Sequence, residues 1–291
     1  TRSCSIPPVL SLAHRSNVSA PMARRHKPEG LKREGSGASA GGSTRLIGRT
    51  TCQPESGRVR LAAVTVQHSL SGQSALIAGA SGGLGTALAV ELARRGATLT
   101  LVARDVDRLA AVPVDAQRVA LDLRVPDACA RAVEASIAHA GRLDVVVNAV
   151  GVVAFGNVVD LSIDAMEELF LTNTFVPIML ANAAIGRIEP RGAIVNISGV
   201  IAEQNLPGMA AYGASKAAVR SFDEALSREA RRTKVRVLDA RPGHTETGLA
   251  DHPIEGASPK MPEGMAPAHV ATVICDALEA GTNDLPSSAF T

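Results

Sequence analysis

From residue 72 onward, short apolar runs alternate with longer segments in which apolar residues recur every three or four positions. Ser74–Ala78 is a run of the first kind, the pattern of a strand buried on both faces. After a glycine cluster, Thr86–Arg95 carries Leu88 and Leu92 four apart, which predicts a helix. The same reading predicts strands at Ala97–Ala103, Val119–Leu121, Leu143–Val147, Ala193–Ile197 and Val235–Ala240, with a last one at Leu285–Phe290. It predicts helices at Ala128–Ala140, ended by Gly141, at Ser162–Pro177 and beyond, at Tyr212–Arg232, and at Ala268–Ala280. Such alternation implies βαβ units with right-handed crossovers. The expected fold class is therefore α/β, a doubly wound and mostly parallel sheet forming a single domain over residues 70–291.

The first 69 residues follow neither period. Residues 1–60 hold 11 Lys and Arg against 3 Glu and are rich in Ser, Gly, Pro and Thr. A composition of this kind buries too little to offset chain entropy, so a basic, disordered extension is expected. Three readings of it stay open: an organelle transit peptide, a basic arm for a polyanion, or residues preceding the true start.

The rest of the composition mainly excludes. With 2% aromatics, one Tyr and no Trp, the chain lacks platforms for stacking single-stranded bases. A net charge of +2 gives no strong field for nucleic acid or a membrane. No run approaches the roughly 18 apolar residues of a membrane span. Cys4, Cys52, Cys129 and Cys275 lie far apart and suit a reduced, cytoplasmic setting, with organelle import if the extension is a transit peptide. No cluster has metal-ligand spacing, and neither a Gly-x-Ser-x-Gly turn nor a phosphate-loop lysine is present.

Two features carry chemistry. Gly79-Ala-Ser81-Gly-Gly83-Leu84-Gly85 joins the first strand to the first helix. Glycines there permit a tight turn, backbone approach to a pyrophosphate and close helix packing, while the helix N-terminus offers free N–H groups to phosphates. Tyr212 and Lys216 stand four apart on a predicted helix and so share a face. An ammonium beside a phenol favours phenolate, drawing the tyrosine from about 10 toward working pH. A tyrosine so placed can exchange a proton with a carbonyl or alcohol oxygen during hydride transfer.

Taken together, residues 70–291 resemble the short-chain dehydrogenases/reductases. The matched segments, in order, are Ala78-Gly79-Ala-Ser-Gly-Gly83-Leu-Gly85, Leu121-Asp122-Leu123, Val147-Asn148-Ala-Val-Gly151, Asn173, Tyr212-Gly-Ala-Ser-Lys216 and Pro242-Gly243-His-Thr-Glu-Thr247. The resemblance implies a Rossmann-like fold and an NAD(P)(H)-dependent oxidoreductase interconverting a carbonyl and an alcohol, with Tyr212 as acid and base. It implies that Asp122 and Leu123 meet the adenine, that Asn148 and Thr247 border the dinucleotide, that Lys216 also holds the nicotinamide ribose, and that Asn173 holds a water linking Lys216 to solvent. It implies a homodimer or homotetramer through the two long helices.

One departure matters. The family places a serine 13 residues before the tyrosine, where this chain has Gly199; Ser198 stands beside it. Ser198 is expected to take the carbonyl-polarising role, although a one-residue shift on an extended strand points a side chain to the other face. The second strand ends in Arg104 with no carboxylate at the position that would accept from a ribose 2′-hydroxyl, which favours NADP(H) over NAD(H). Asp105 is the complication, since it could neutralise Arg104. The segment Gly248–Ala266 occupies the place of a substrate loop, and its Leu, Ile and Met content points to a moderately apolar substrate. The competing reading, prompted by Gly199, is a catalytically weak dinucleotide-binding regulatory protein of the same fold.

Overall fold

The computed structural model describes residues 68–125 and 127–291. The extension expected over residues 1–69 lies outside the described residues as far as residue 67. Seven strands form one sheet: β1 (Ser74–Ala78), β2 (Thr98–Ala103), β3 (Gln117–Ala120), β4 (Val145–Asn148), β5 (Ala193–Ile197), β6 (Arg236–Ala240) and β7 (Asp284–Leu285). Their order is β3-β2-β1-β4-β5-β6-β7, and every pairing is parallel. This is the Rossmann-like doubly wound arrangement. β1 and β4 are buried along their whole length because helices cover both faces, whereas β3 at the edge alternates.

The helices are α1 (Gly83–Arg94), α2 (Val106–Ala110), α3 (Ala128–Ala140), α4 (Ile163–Phe170), α5 (Val176–Ala184), α6 (Ala210–Glu229) and α7 (Pro267–Ala280). The pleat sends alternate strand residues to opposite faces. Ile77, Val147 and Leu238 meet Leu88 and Leu92 of α1 and Ile274 and Leu278 of α7. Leu76, Val146 and Ile194 meet Ala132 and Val133 of α3, Leu180 of α5 and Leu226 of α6. Each such large side chain contributes about 1.5–3 kcal/mol by leaving water. Arg95 ties α1 to α7, reaching Glu91, Asp276 and Glu279, each at 2.7 Å. The hydrogen bond from Arg94, seconded by Arg95, holds the Glu91 carboxyl down at about 2.

Three expectations about elements need correction. The last strand is only two residues long, and Pro286, which has no N–H to donate, leads into a 3₁₀ turn over Ser287–Phe290. The long helix beginning after Ser162 is interrupted by a π turn, Leu171–Phe175, between α4 and α5. α2 was not expected; its five residues are too few to show a period, and Asp105 caps it by accepting from the Arg108 N–H at 2.9 Å.

β1 lies between β2 and β4, so the chain leaves it in one direction and its neighbour in the other. A sheet of this kind opens a crevice at the carboxyl ends of the strands at that switch point. The residues singled out from the sequence gather there.

Candidate active site

β1 runs directly into the glycine turn, where the N–H groups of Gly79 and Ala80 donate to Val102 O at 2.8 and 3.2 Å. A Cβ at Gly85 would lie 2.1 Å from Gly79 O, so only glycine lets α1 start this close to the turn. The N-cap of α1 is Gly82, and no side chain caps it. The first-turn N–H groups, those of Gly83, Leu84 and Gly85, are thus left for an outside acceptor at the positive end of the helix dipole. This uncapped cradle fits the pyrophosphate of a dinucleotide. Thr247 closes one side: a Cβ at Gly83 would fall 2.6 Å from Thr247 O.

At the other side, Arg108 of α2 donates to Ser81 O at 3.0 Å. The sequence reading missed Arg108, because its arrival at the turn depends on a helix too short to be recognised. Arg104 is exposed at the end of β2, and Asp105 is engaged as the cap of α2 rather than with Arg104. Asp122 is held by Arg124 at 2.7 Å, which also reaches Glu168 at 2.6 Å. The Arg124 hydrogen bonds keep the Asp122 carboxyl below its ordinary value. Leu123 is buried.

The floor of the crevice is a buried polar ladder. Val150 N–H donates to Asn148 Oδ1 at 3.3 Å, Asn148 donates to Asn196 Oδ1 at 3.3 Å, and Asn196 donates to Asp223 Oδ1 at 2.7 Å. The ladder crosses from β4 through β5 to α6 and fixes the loop after β4.

α6 brings Tyr212 and Lys216 to the same strand ends. Lys216 Nζ donates to Ile197 O at 2.8 Å, where β5 stops. Asn173 is fully buried in the π turn, where its side chain exchanges two hydrogen bonds of 2.9 Å with the Val152 backbone and donates to Ser215 Oγ at 3.0 Å. π turns recur at functional sites because the extra residue re-aims a side chain. Tyr212 packs with Ala154, Leu161, Met166 and Leu169. Burial pushes its phenol up to about 12. Burial likewise lowers the Lys216 ammonium to about 8, opposed by the charge of Asp239. At the phenol burial is thus the dominant influence, opposite in direction to the pull expected of Lys216.

The role expected of Ser198 also needs correction. Its side chain is fully buried, and its hydroxyl donates to Asp239 of β6, a carboxylate also bound by Arg241. Consecutive residues face opposite ways, so the hydroxyl is directed into the sheet's polar interior. Gly199 occupies the crevice position with φ of +77°, in the left-handed region that favours glycine.

The substrate-loop segment is stitched to the loop after β4. Ile254 N–H donates to Val153 O at 2.8 Å, and Phe155 N–H to Glu255 O at 3.0 Å. The Ser162 N–H donates to Glu255 Oε1 at 2.7 Å, and its hydroxyl donates to Oε2. Glu255 thereby shares the cap of α4. A cavity of about 350 Å³ beneath the segment is lined by His244, Glu246, Asp251, Met261 and Glu263 among others. This lining is more polar than the sequence of the segment suggested.

Comparison with known proteins agrees with this architecture. The family profile for short chain dehydrogenase matches residues 73–256, more than half of the chain. A hydroxynaphthalene reductase-like protein of Metarhizium acridum is 30% identical over 210 residues, covering 68% of this chain and 79% of its own length. Versicolorin reductase of Emericella nidulans is 30% identical over 191 residues, covering 62% and 72%. Among solved structures, a short chain dehydrogenase from Burkholderia cenocepacia in complex with NADP superimposes with a TM-score of 0.68 at 25% identity, covering 77% of this chain and 100% of that one. One from Burkholderia phymatum in complex with NAD gives 0.69 at 23%, covering 76% and 90%.

Proposed function

The chain belongs to the short-chain dehydrogenase/reductase family, whose members are NAD(P)-dependent oxidoreductases of carbonyls and alcohols, and on that premise we propose an NADP(H)-preferring carbonyl reductase with Tyr212 as its proton donor. The observation that carries the reading is Tyr212 and Lys216 on one face of α6, with the ammonium anchored on Ile197 O at the end of β5. When bound, the dinucleotide supplies the hydride. Gly83, Leu84 and Gly85 would hold its pyrophosphate with their N–H groups, and Arg104 and Arg108 would meet a 2′-phosphate. Tyr212, still protonated at neutral pH, gives its proton to the carbonyl oxygen as the alcohol forms. Lys216 stabilises the phenolate left behind, and Asn173 keeps the Val152 backbone in register beside it.

Relatives named as reductases of hydroxynaphthalene and versicolorin support a fused aromatic ketone as substrate. NADP in one structural neighbour and NAD in another leave the cofactor preference to the two arginines. Exposed Phe170, Leu171 and Phe175, around the π turn, support a homodimer or homotetramer, which light scattering tests. Gly199 favours the second reading, a dinucleotide-binding protein of weak activity. The deciding experiment follows NADPH and NADH oxidation by absorbance with a ketone panel that includes 1-tetralone. Turnover that Tyr212→Phe abolishes supports the reductase. Tight NADPH binding without turnover on any ketone supports the second reading.

A further inference from the structure

The layer between α6 and the sheet buries an ammonium with little to hold it. Lys216 enters from α6 and is only 6% exposed. Among the described residues its Nζ has one hydrogen-bond partner, Ile197 O at 2.8 Å, and no carboxylate within ion-pair range. Desolvation disfavours the charged form of such a group, so a charge elsewhere in the layer has to oppose it.

Asp239 enters the same layer from the opposite wall. It is the register partner of Asn196 across β5 and β6. Strand residues two apart share a face, so Asn196 and Asp239 follow Ile194 and Val237, which pack toward α6. Asn196 confirms the direction by donating to Asp223 of α6 at 2.7 Å. The Asp239 carboxylate accepts from the Ser198 hydroxyl, and Ser198 follows Ile197, whose carbonyl holds the Lys216 ammonium. Anion and cation are thus fastened to consecutive residues at the end of β5.

Asp239 is not neutralised by its own cation. Arg241 is 3% exposed and donates to Asp239, to Glu203 and, at 2.6 Å, to Asp284. Three carboxylates share one guanidinium, so negative charge is in surplus on this side of the layer. Other titratable groups on the elements around Lys216 do not supply it. Tyr212 and Asp223, on α6 itself, are driven toward their neutral forms by burial, the phenol to about 12 and the carboxyl well above its ordinary value. Glu168 of α4 is engaged by Arg124 and Thr172, and the π turn carries no titratable residue. The charge that opposes the desolvation of Lys216 is that of Asp239.

We propose that Asp239, fixed by Ser198 and Arg241, is a positioning residue for the reduction, whose charge keeps the Lys216 ammonium seated and protonated one helical turn from Tyr212. This rests on the reductase reading. The hydride still comes from the dinucleotide and the proton from Tyr212; Asp239 transfers neither.

The test follows kcat/KM across neutral and alkaline pH for the full chain, with NADPH and 1-tetralone or whichever ketone of the panel is turned over fastest. Asp239→Asn keeps an acceptor for Ser198 and removes the charge, while Arg241 retains Glu203 and Asp284. Expected is an alkaline limb moved down by about one unit from the wild-type position near 8, the low end of what one opposite charge does. The variant is then about fivefold slower than wild type at about pH 8 and recovers at about pH 6. Glu203→Gln combined with Asp284→Asn removes the surplus from side chains that reach solvent and leaves Asp239 paired with Arg241. It should move the limb in the same direction, and it decides the matter if Asp239→Asn does not fold. A limb that stays at the wild-type position in either folded variant overturns the proposal and leaves the reductase reading intact. So does a wild-type profile without an alkaline limb, or a loss of equal size at acid and alkaline pH, which marks a packing role. A wild-type protein that oxidises NADPH with none of the ketones overturns the reductase reading, and the proposal with it.

Discussion

Ser198→Ala separates two roles that differ in where the free energy appears. The hydroxyl is fully buried and donates to Asp239, which keeps Arg241 as its other partner. Losing a hydrogen bond to a charged group costs about 1.5–3 kcal/mol, and the remaining arginine places this case near the middle, about 2 kcal/mol. For a domain of this size each kcal/mol moves the melting temperature by about 2–4 °C, so a drop of about 4–8 °C is expected. The chemical step should change little, because the negative charge that supports Lys216 stays on Asp239. A hydroxyl that bound the reacting oxygen would have the opposite signature, a loss of about 10²–10³ in kcat with stability nearly unchanged. Thermal melts beside steady-state NADPH oxidation distinguish the two. A kcat reduced more than tenfold at unaltered melting temperature refutes the placement of Ser198 argued above.

Other predictions follow from the same geometry. Carbonyl reduction should hold its rate below pH 8 and decline above it, because Lys216 gives up its proton near 8 while the phenol keeps its own up to about 12; a kcat/KM profile that rises through pH 9 contradicts the assignment. Arg104→Ala combined with Arg108→Ala should lower the ratio of kcat/KM for NADPH over NADH by about tenfold or more, the worth of one to two charge-assisted bonds, and an unchanged ratio removes both arginines from the cofactor site. Glu91 has a folded-state value of about 2, below its unfolded value, so its stabilisation is present above about pH 4.5 and is lost as pH falls toward 2. The unfolding free energy of Glu91→Gln, from denaturant titration, should accordingly lie below wild type at pH 7 by about 1–3 kcal/mol and converge with it near pH 2.

What the chain declares about itself is local and periodic. β1, β4 and β5 are legible because short, mainly apolar runs mark strands buried on both faces, and Gly79 to Gly85 is legible because backbone contact leaves no room for side chains. Tyr212 and Lys216 are legible because a helix converts a spacing of four into a shared face. Three things escape for stated reasons. α2 has five residues and β7 two, too few for either period to repeat. The π turn at Asn173 arises from the packing of α4 and α5 on α6 rather than from residue type, as the bond from Thr174 to Ser215 O illustrates. The direction of the Ser198 side chain escapes because the choice between two faces depends on where β5 stops, and β5 stops at Ile197, one residue before the serine.

Gly199 has a corollary for engineering. Its φ of +77° and ψ of 165° lie where only glycine moves freely, so a Gly199→Ser variant would strain the main chain by about 1–3 kcal/mol before its hydroxyl could serve the chemistry. A hydroxyl at this crevice position therefore needs a rearranged main chain as well as a new side chain.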